Sequence, residues 1–219
     1  HTPEKYGIYQ SVGDTSGPGG IVRAMRTVPM FEEIAECVKK YCPNAWVINY
    51  TNPMTLCTRA LYRVFPEIKA FGCCHEVFGT QKLLSSALED ICGIKDVSKD
   101  DIHTTVVGVN HFTWFSKAQY RNIDLFPVYA EFAAKHYAEG FSEKGTGNWL
   151  NDFFACGHKV KFDLFQKYGV MAAAGDRHLA EFMPPHAYLK NPEQVRNEWL
   201  FGLTPVSWRK ENLGKRLAK

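Results

Sequence analysis

The 219-residue chain lacks any apolar run approaching the roughly 20 residues that a bilayer-spanning helix needs, which excludes a helical membrane protein. It has no strong charge of one sign: the formal net charge is +3, and no five-residue basic cluster precedes the mildly basic end Arg209–Lys219. That excludes the electrostatic footprint of a nucleic-acid binder. It has no Cys-x-x-Cys pair, and its seven cysteines, at 37, 42, 57, 73, 74, 92 and 156, are an odd number. A disulfide scaffold is therefore unsupported, and reduced thiols in a cytoplasmic protein are expected. No G-x-G-x-x-G fingerprint, internal repeat or low-complexity stretch is present. The first residues show no signal-peptide pattern.

What is present is ordinary for a globular protein, at 45% hydrophobic and 22% charged residues, and long enough for one large domain or parts of two. Residues 1–20 read as a loop, punctuated by Pro3, Gly7, Gly13, Gly17, Pro18, Gly19 and Gly20. Phe31, Ile34, Ala35 and Val38 then recur at helical spacing, and Pro43 ends that helix. Ala45–Asn49 is a short apolar run suited to a buried strand, and Pro53 opens a helix carrying Met54, Cys57 and Leu61. Ile68–Gly72 reads as a second strand, Glu76–Ile91 as a helix and Ile102–Val109 as a third strand. Alternating strands and helices predict right-handed crossovers and a doubly wound, Rossmann-like parallel sheet.

After His111 the pattern changes to a returning strand at 112–121, helices near 125–138 and 147–168, and a loop holding Gly175-Asp176-Arg177-His178. The reading is α/β: the second half of a doubly wound sheet over 1–110, then part of a mixed α+β substrate domain over 111–219. The chain opens without a preceding strand and ends in helix-like Trp208–Lys219, so it is expected to be the middle of a longer fold.

In an open α/β sheet, ligands bind at the carboxyl ends of the strands. Cys74 and His111 end two successive apolar runs, and thiolate and imidazole are good divalent-metal ligands that leave positions open for substrate. Spacing alone favours the plainer alternative, a buried free cysteine and a hydrogen-bonded core histidine. His75 can exchange a proton in the crevice or merely begin the next helix. Asn52, pushed out of helical geometry by Pro53, can offer its amide to a sugar hydroxyl or simply make a turn. Asp176, Arg177, His178 and Glu181 crowd four ionisable groups into six positions, which suits either a tuned base with an anion partner or a solvated ion-pair network. The G-D-T-S-G-P-G-G stretch lacks the order of a phosphate loop and reads as a tight loop entering a helix.

The motifs K-Y-G-I-Y-Q with G-P-G-G, I-N-Y-T-N-P-M, G-C-C-H-E-V-F-G-T, V-G-V-N-H-F-T-W and G-D-R-H-L-A-E-F, in this order, resemble glycoside hydrolase family 4. Their versions look most like the branch acting on α-linked galacturonic acid. The resemblance implies Cys74 and His111 as ligands of Mn²⁺, His75 as the acid for the departing group, and Asn52 and Asn110 as partners of substrate hydroxyls. Asp176 is taken for the base and Arg177, by its charge, for the partner of a sugar carboxylate. The implied chemistry differs from the two-carboxylate route. NAD oxidises C3, a base removes the acidified C2 proton, the glycosidic bond breaks, water adds and the hydride returns. Thiolate with imidazole ordinarily favours zinc by softness, whereas the family uses manganese.

The expected partner is a small uronic-acid glycoside, with no nucleic acid and no membrane, and the expected assembly is a homo-oligomer, dimer or tetramer. A neutral-sugar glycosidase of the same family, a 2-hydroxy-acid dehydrogenase and a purely structural module are the rival readings.

Overall fold

A computed structural model describes residues 2–142 and 156–218. After a short 3-10 turn at Pro3–Tyr6 come α1 (Gly17–Tyr41), β1 (Trp46–Asn49), α2 (Met54–Val64), β2 (Lys69–Gly72) and α3 (Glu76–Cys92). Then follow β3 (Ile102–Val109), β4 (Phe112–Tyr120), β5 (Ile123–Asp124), α4 (Leu125–His136), α5 (Lys159–Tyr168) and β6 (Met171–Ala172). The chain finishes with α6 (Asp176–Phe182), α7 (Pro185–Tyr188), α8 (Pro192–Asn197) and α9 (Val206–Leu217). No helix among the described residues is long and apolar enough to cross a membrane.

β1 and β2 pair in parallel, with Asn49 beside Gly72, and α2 is the crossover between them. This is the expected α/β arrangement. One detail differs: β3 does not extend that sheet but pairs antiparallel with β4, from Ile102 opposite Tyr120 to Val109 opposite Phe112. Only the turn Asn110-His111 separates the two strands, and so short a link returns a chain antiparallel, whereas parallel pairing needs a long crossover. A run such as Val106-Val107-Gly108-Val109 reads the same in either sheet, which is why periodicity missed it. The boundary expected between residues 110 and 111 falls in the turn of this hairpin. β5 and β6 also pair with β4, so the second sheet has four strands.

α1 starts earlier than expected. Ser16 precedes it in extended geometry and Pro18 occupies its first turn, where a missing N–H costs nothing. A Cβ on Gly19 would lie 2.7 Å from the Gly13 carbonyl oxygen, and one on Gly20 2.6 Å from that of Thr15. The loop therefore folds back onto the first turn of its own helix, an approach that only glycine permits. The residues expected to form a loop at Asp176-Arg177-His178 are the first turn of α6, with Gly175 before it. Of the helix expected at 147–168, the described part is Lys159–Tyr168; 147–155 lie outside the described residues.

Three apolar clusters hold these elements. Phe31, Ala35, Cys57, Leu61, Ile68 and Ala70 bind α1 and α2 to the parallel sheet. Leu84, Leu88, Ile102, Phe115, Tyr129 and Phe132 join α3 and α4 to the antiparallel sheet. Val160, Leu164, Leu179, Tyr188, Val195 and Trp199 gather α5 to α8.

Asp163 on α5 ties that last group together. It accepts hydrogen bonds from Tyr137 Oη at 2.8 Å, Tyr188 Oη at 2.5 Å and Lys167 Nζ at 2.6 Å. Burial alone would raise its pKa, but these three donors win and hold it below the ordinary 3.8. A depressed carboxylate pKa means stability that is present above the unfolded-state value and lost as pH falls through the folded one. Asp163→Asn is therefore expected to cost about 1–3 kcal/mol at pH 7. Its urea-unfolding stability should also fall less steeply than that of the wild type below about pH 4; parallel acid limbs for the two proteins would contradict this.

Candidate active site

The site begins with the loop at residues 11–16. Glu181 on α6 accepts hydrogen bonds from the backbone N–H of Val12 at 2.5 Å and Gly13 at 2.8 Å. Arg177 Nη2 donates to the Ser11 carbonyl at 2.9 Å and also reaches Thr204 Oγ1, while Ser11 Oγ donates to the Arg177 carbonyl. So pinned, the loop turns Asp14 and Thr15 toward the strand ends.

There His178, from α6, lies between two carboxylates. Its Nδ1 is 2.6 Å from Glu76 Oε1, and its Nε2 is 3.6 Å from Asp14 Oδ1. Burial disfavours the imidazolium, but the charge of Glu76 and the contact with Asp14 outweigh it and raise the His178 pKa to about 10. The partners move the other way. Burial opposes ionisation of Glu76, yet His178 brings it down to about 2; Asp14 is likewise held well below the usual carboxylate range. His178 is thus a cation held by two anions.

His111 stacks on His178, ring centroids 3.7 Å apart, and is 3% exposed. Burial, then the neighbouring cation, push its pKa down to about 4, so it is neutral. Its tautomer follows from one hydroxyl. Thr15 Oγ1 donates its single proton to Asp14 Oδ1 at 2.7 Å, an acceptor with no proton of its own. The same oxygen lies 2.9 Å from His111 Nδ1 and can only accept there, so His111 carries its proton on Nδ1 and leaves the Nε2 lone pair open.

Ligand atoms of Cys74, Glu76 and His111 all lie within 4.8 Å of one another, as do those of Asp14, His111 and His178. Burial, with the charges of Glu76 and Asp14 adding to it, pushes the Cys74 thiol up to about 11. Two anions, one cation and one neutral imidazole leave a net negative charge around that thiol. An imidazole lone pair, a carboxylate and a sulfur that ionises beside a cation form a donor set that fits a divalent metal.

A cavity of about 640 Å³ opens beside this cluster, lined by Cys74, Glu76, Asn110 and His111 at the strand ends and by Met54, Thr55, Thr58, Arg59 and Tyr62 of α2. Asn110 is 7% exposed, and its side-chain Nδ2 has no hydrogen-bond partner among the described residues. A buried amide left unpaired at a cavity wall is poised for a ligand oxygen. Its backbone N–H donates to Thr55 Oγ1 at 3.3 Å. Asn52 Nδ2 donates to Asp14 Oδ2 at 3.0 Å, which fixes its amide beside the same cluster. The Asn52–Pro53 and Asn110–His111 peptide bonds are cis. His75 is exposed at the start of α3, next to Cys74.

Two expected site residues are placed elsewhere. Asp176 is 0% exposed, and its carboxylate accepts from the backbone N–H of Val160 at 2.9 Å and of Lys161 at 3.2 Å. Burial raises its pKa to about 6, but its position anchors the first turn of α5 rather than facing the cavity. Arg177 is buried, its Nη2 donates to the Ser11 carbonyl and reaches Thr204, and it is not among the residues lining the cavity, so it staples the loop. Asp14, Thr15 and Glu76 were missed. Asp14-Thr15 inside the Gly-rich start, and Glu76 directly after His75, were the available signals.

Residues 1–90 match Family 4 glycosyl hydrolase and residues 106–216 match the Family 4 glycosyl hydrolase C-terminal domain. The chain belongs to glycoside hydrolase family 4. It is 65% identical over 219 residues to the alpha-galacturonidase of Thermoanaerobacterium saccharolyticum, covering 100% of this chain and 47% of that protein. The crystal structure of lplD from Bacillus subtilis superposes with a TM-score of 0.88 at 52% identity, covering 100% of this chain and 49% of that one. A 6-phospho-alpha-glucosidase from gut microorganisms, crystallised with NAD and Mn²⁺, shares the fold at a TM-score of 0.61 and 24% identity, over 82% of this chain and 39% of that one. The chain spans about half the length of the relatives it matches.

Placement of Asp176 makes a prediction that separates scaffold from chemistry. In the full-length protein, Asp176→Ala should lower unfolding free energy by about 1–3 kcal/mol as two backbone N–H groups lose their acceptor. Its manganese affinity should stay within about twofold of wild type, since the carboxylate serves the first turn of α5 and lies outside the Cys74, Glu76 and His111 cluster. Unchanged stability with lost turnover would instead return Asp176 to the role of base.

Proposed function

We propose that this chain carries the metal-binding and sugar-binding part of a glycosidase that cleaves α-linked galacturonic acid with the help of NAD and Mn²⁺. The observation that carries the reading is the meeting of the Cys74, Glu76 and His111 ligand atoms beside the unpaired amide of Asn110 in one cavity. Family membership and 65% identity to an alpha-galacturonidase support this reaction and an acidic sugar.

Cys74 and His111 would hold the metal, with Glu76 close enough to contribute an oxygen. When bound, the metal supplies a Lewis acid for sugar oxygens and the dinucleotide a hydride acceptor. The Gly-rich start of this chain is filled by its own loop and offers no cradle for a dinucleotide's phosphates, so no residue here is assigned to them.

Around the sugar, Asn110 donates its free amide protons to a hydroxyl. Asn52, held by Asp14, presents its carbonyl side as an acceptor, and the exposed His75 is positioned beside Cys74 to protonate the departing group. The cavity volume falls in the range of about 300–1,000 Å³ usual for small-molecule sites. A thiol ligand must stay reduced, which suits the cytoplasm.

Two measurements on the full-length enzyme test this. Cys74→Ser should weaken Mn²⁺ binding, followed by electron paramagnetic resonance titration, by at least about tenfold without lowering the melting temperature; equal affinities would remove the metal assignment. Turnover of nitrophenyl α-galacturonide should exceed that of the α-galactoside, and no preference for the acid would refute the substrate.

A further inference from the structure

The acidic-sugar reading calls for a cation at the cavity, and Arg177 is not among the residues that line it. Among the described residues lining that cavity, Arg59 is the one Lys or Arg side chain. It is exposed and has no hydrogen bond or ion pair to any described residue. Two other basic groups near the site are engaged: Lys161 is buried and donates to Thr80 Oγ1 at 2.7 Å, and Arg23 Nε donates to the Asn52 carbonyl at 2.9 Å.

Position along α2 brings Arg59 toward the sugar. Thr55 Oγ1 accepts from the Asn110 N–H, which holds the face of α2 carrying Thr55 against the turn that presents Asn110 and His111. Arg59 follows four residues later on that same face, about 6 Å further along the helix axis. That offset is of the order of one pyranose ring, so a sugar with its hydroxyl edge at Asn110 and Cys74 extends its opposite edge toward Arg59. The remaining groups on this wall are already committed. Thr58 Oγ1 accepts from Asn49 Nδ2 at 3.2 Å, and Tyr62 Oη donates to the Ala70 carbonyl at 2.6 Å. The lining acid, Glu76, is neutralised by His178. Met54, Val77, Val106 and Ala174 make the rest of the wall apolar, where an ion pair is screened less than in water.

We propose that Arg59 is the specificity-determining residue of this site and binds the carboxylate of the uronic acid through its guanidinium fork. The proposal rests on the galacturonide reading above. A carboxylate fits the fork in bidentate geometry, and a neutral hydroxymethyl group at the same sugar carbon does not. Arg59 therefore recognises the feature that separates galacturonic acid from galactose and takes no part in bond breaking.

The test compares wild type, Arg59→Gln and Arg59→Lys in the full-length enzyme on nitrophenyl α-galacturonide and nitrophenyl α-galactoside. Arg59→Gln is expected to lower the acid-to-neutral ratio of kcat/KM about 10- to 100-fold, mainly through a higher KM for the acid. Arg59→Lys should keep part of the preference, because charge survives and the fork does not. Melting temperatures of the three proteins should coincide, since Arg59 has no described contact to lose. A wild-type enzyme that prefers the acid beside an Arg59→Gln variant that prefers it equally would overturn Arg59 alone. A wild type with no preference would overturn the substrate reading and this assignment together.

Discussion

His178 held between Glu76 and Asp14 is the contact on which the rest of the site depends. It joins three distant segments: the Gly-rich loop, the start of α3 and the first turn of α6. Each group alone would be costly to bury, because the solvation lost by an ion in a protein interior amounts to several kcal/mol. Together they offset much of that cost, and the removal of His178 would leave two buried carboxylates with no counter-charge between them. Glu76 adds a further link through Oε2, which accepts from the Gly175 N–H at 2.8 Å and so fixes where α6 begins. His111 stacks on the same ring and has a ring nitrogen within 4.8 Å of the ligand atoms of Cys74 and Glu76.

The electrostatics of this cluster suit a cation. His178 is positive, Glu76 and Asp14 are negative, and His111 is kept neutral by burial and by its charged neighbour. One unit of negative charge remains, and it raises the Cys74 thiol further. A bound divalent ion would reverse that effect and turn the thiol into a thiolate ligand. Manganese, a metal of oxygen and nitrogen ligands, is better matched by a set that includes Glu76 than by sulfur and imidazole alone. With Glu76 in such a set, the softness conflict raised by Cys74 and His111 would be eased by a carboxylate that spacing had not revealed.

Much of the fold was legible because its signals are local. The apolar run at residues 45–49, the Pro at 53 and the helical periodicity of 76–91 each encode an element without reference to the rest of the chain. The partner of β3 was not legible, since sheet membership depends on which strand lies alongside and Val106–Val109 suits both. At the site, Cys74, His111, Asn52 and Asn110 could be read from strand ends and motifs. Asp14 and Glu76 could not, because their importance arises only when loop, α3 and α6 converge. Asp176 and Arg177 show the opposite: a crowd of charges looks chemical in sequence, and here the carboxylate holds the first turn of α5 and the guanidinium holds the loop through backbone groups.

Nitrogen-15 NMR of the imidazoles in the full-length protein reads the protonation pattern of the two stacked rings directly. At pH 8 and without metal, the account predicts a His178 ring protonated on both nitrogens and a neutral His111 ring protonated on Nδ1 alone. A neutral His178, or a His111 protonated on Nε2, would contradict it.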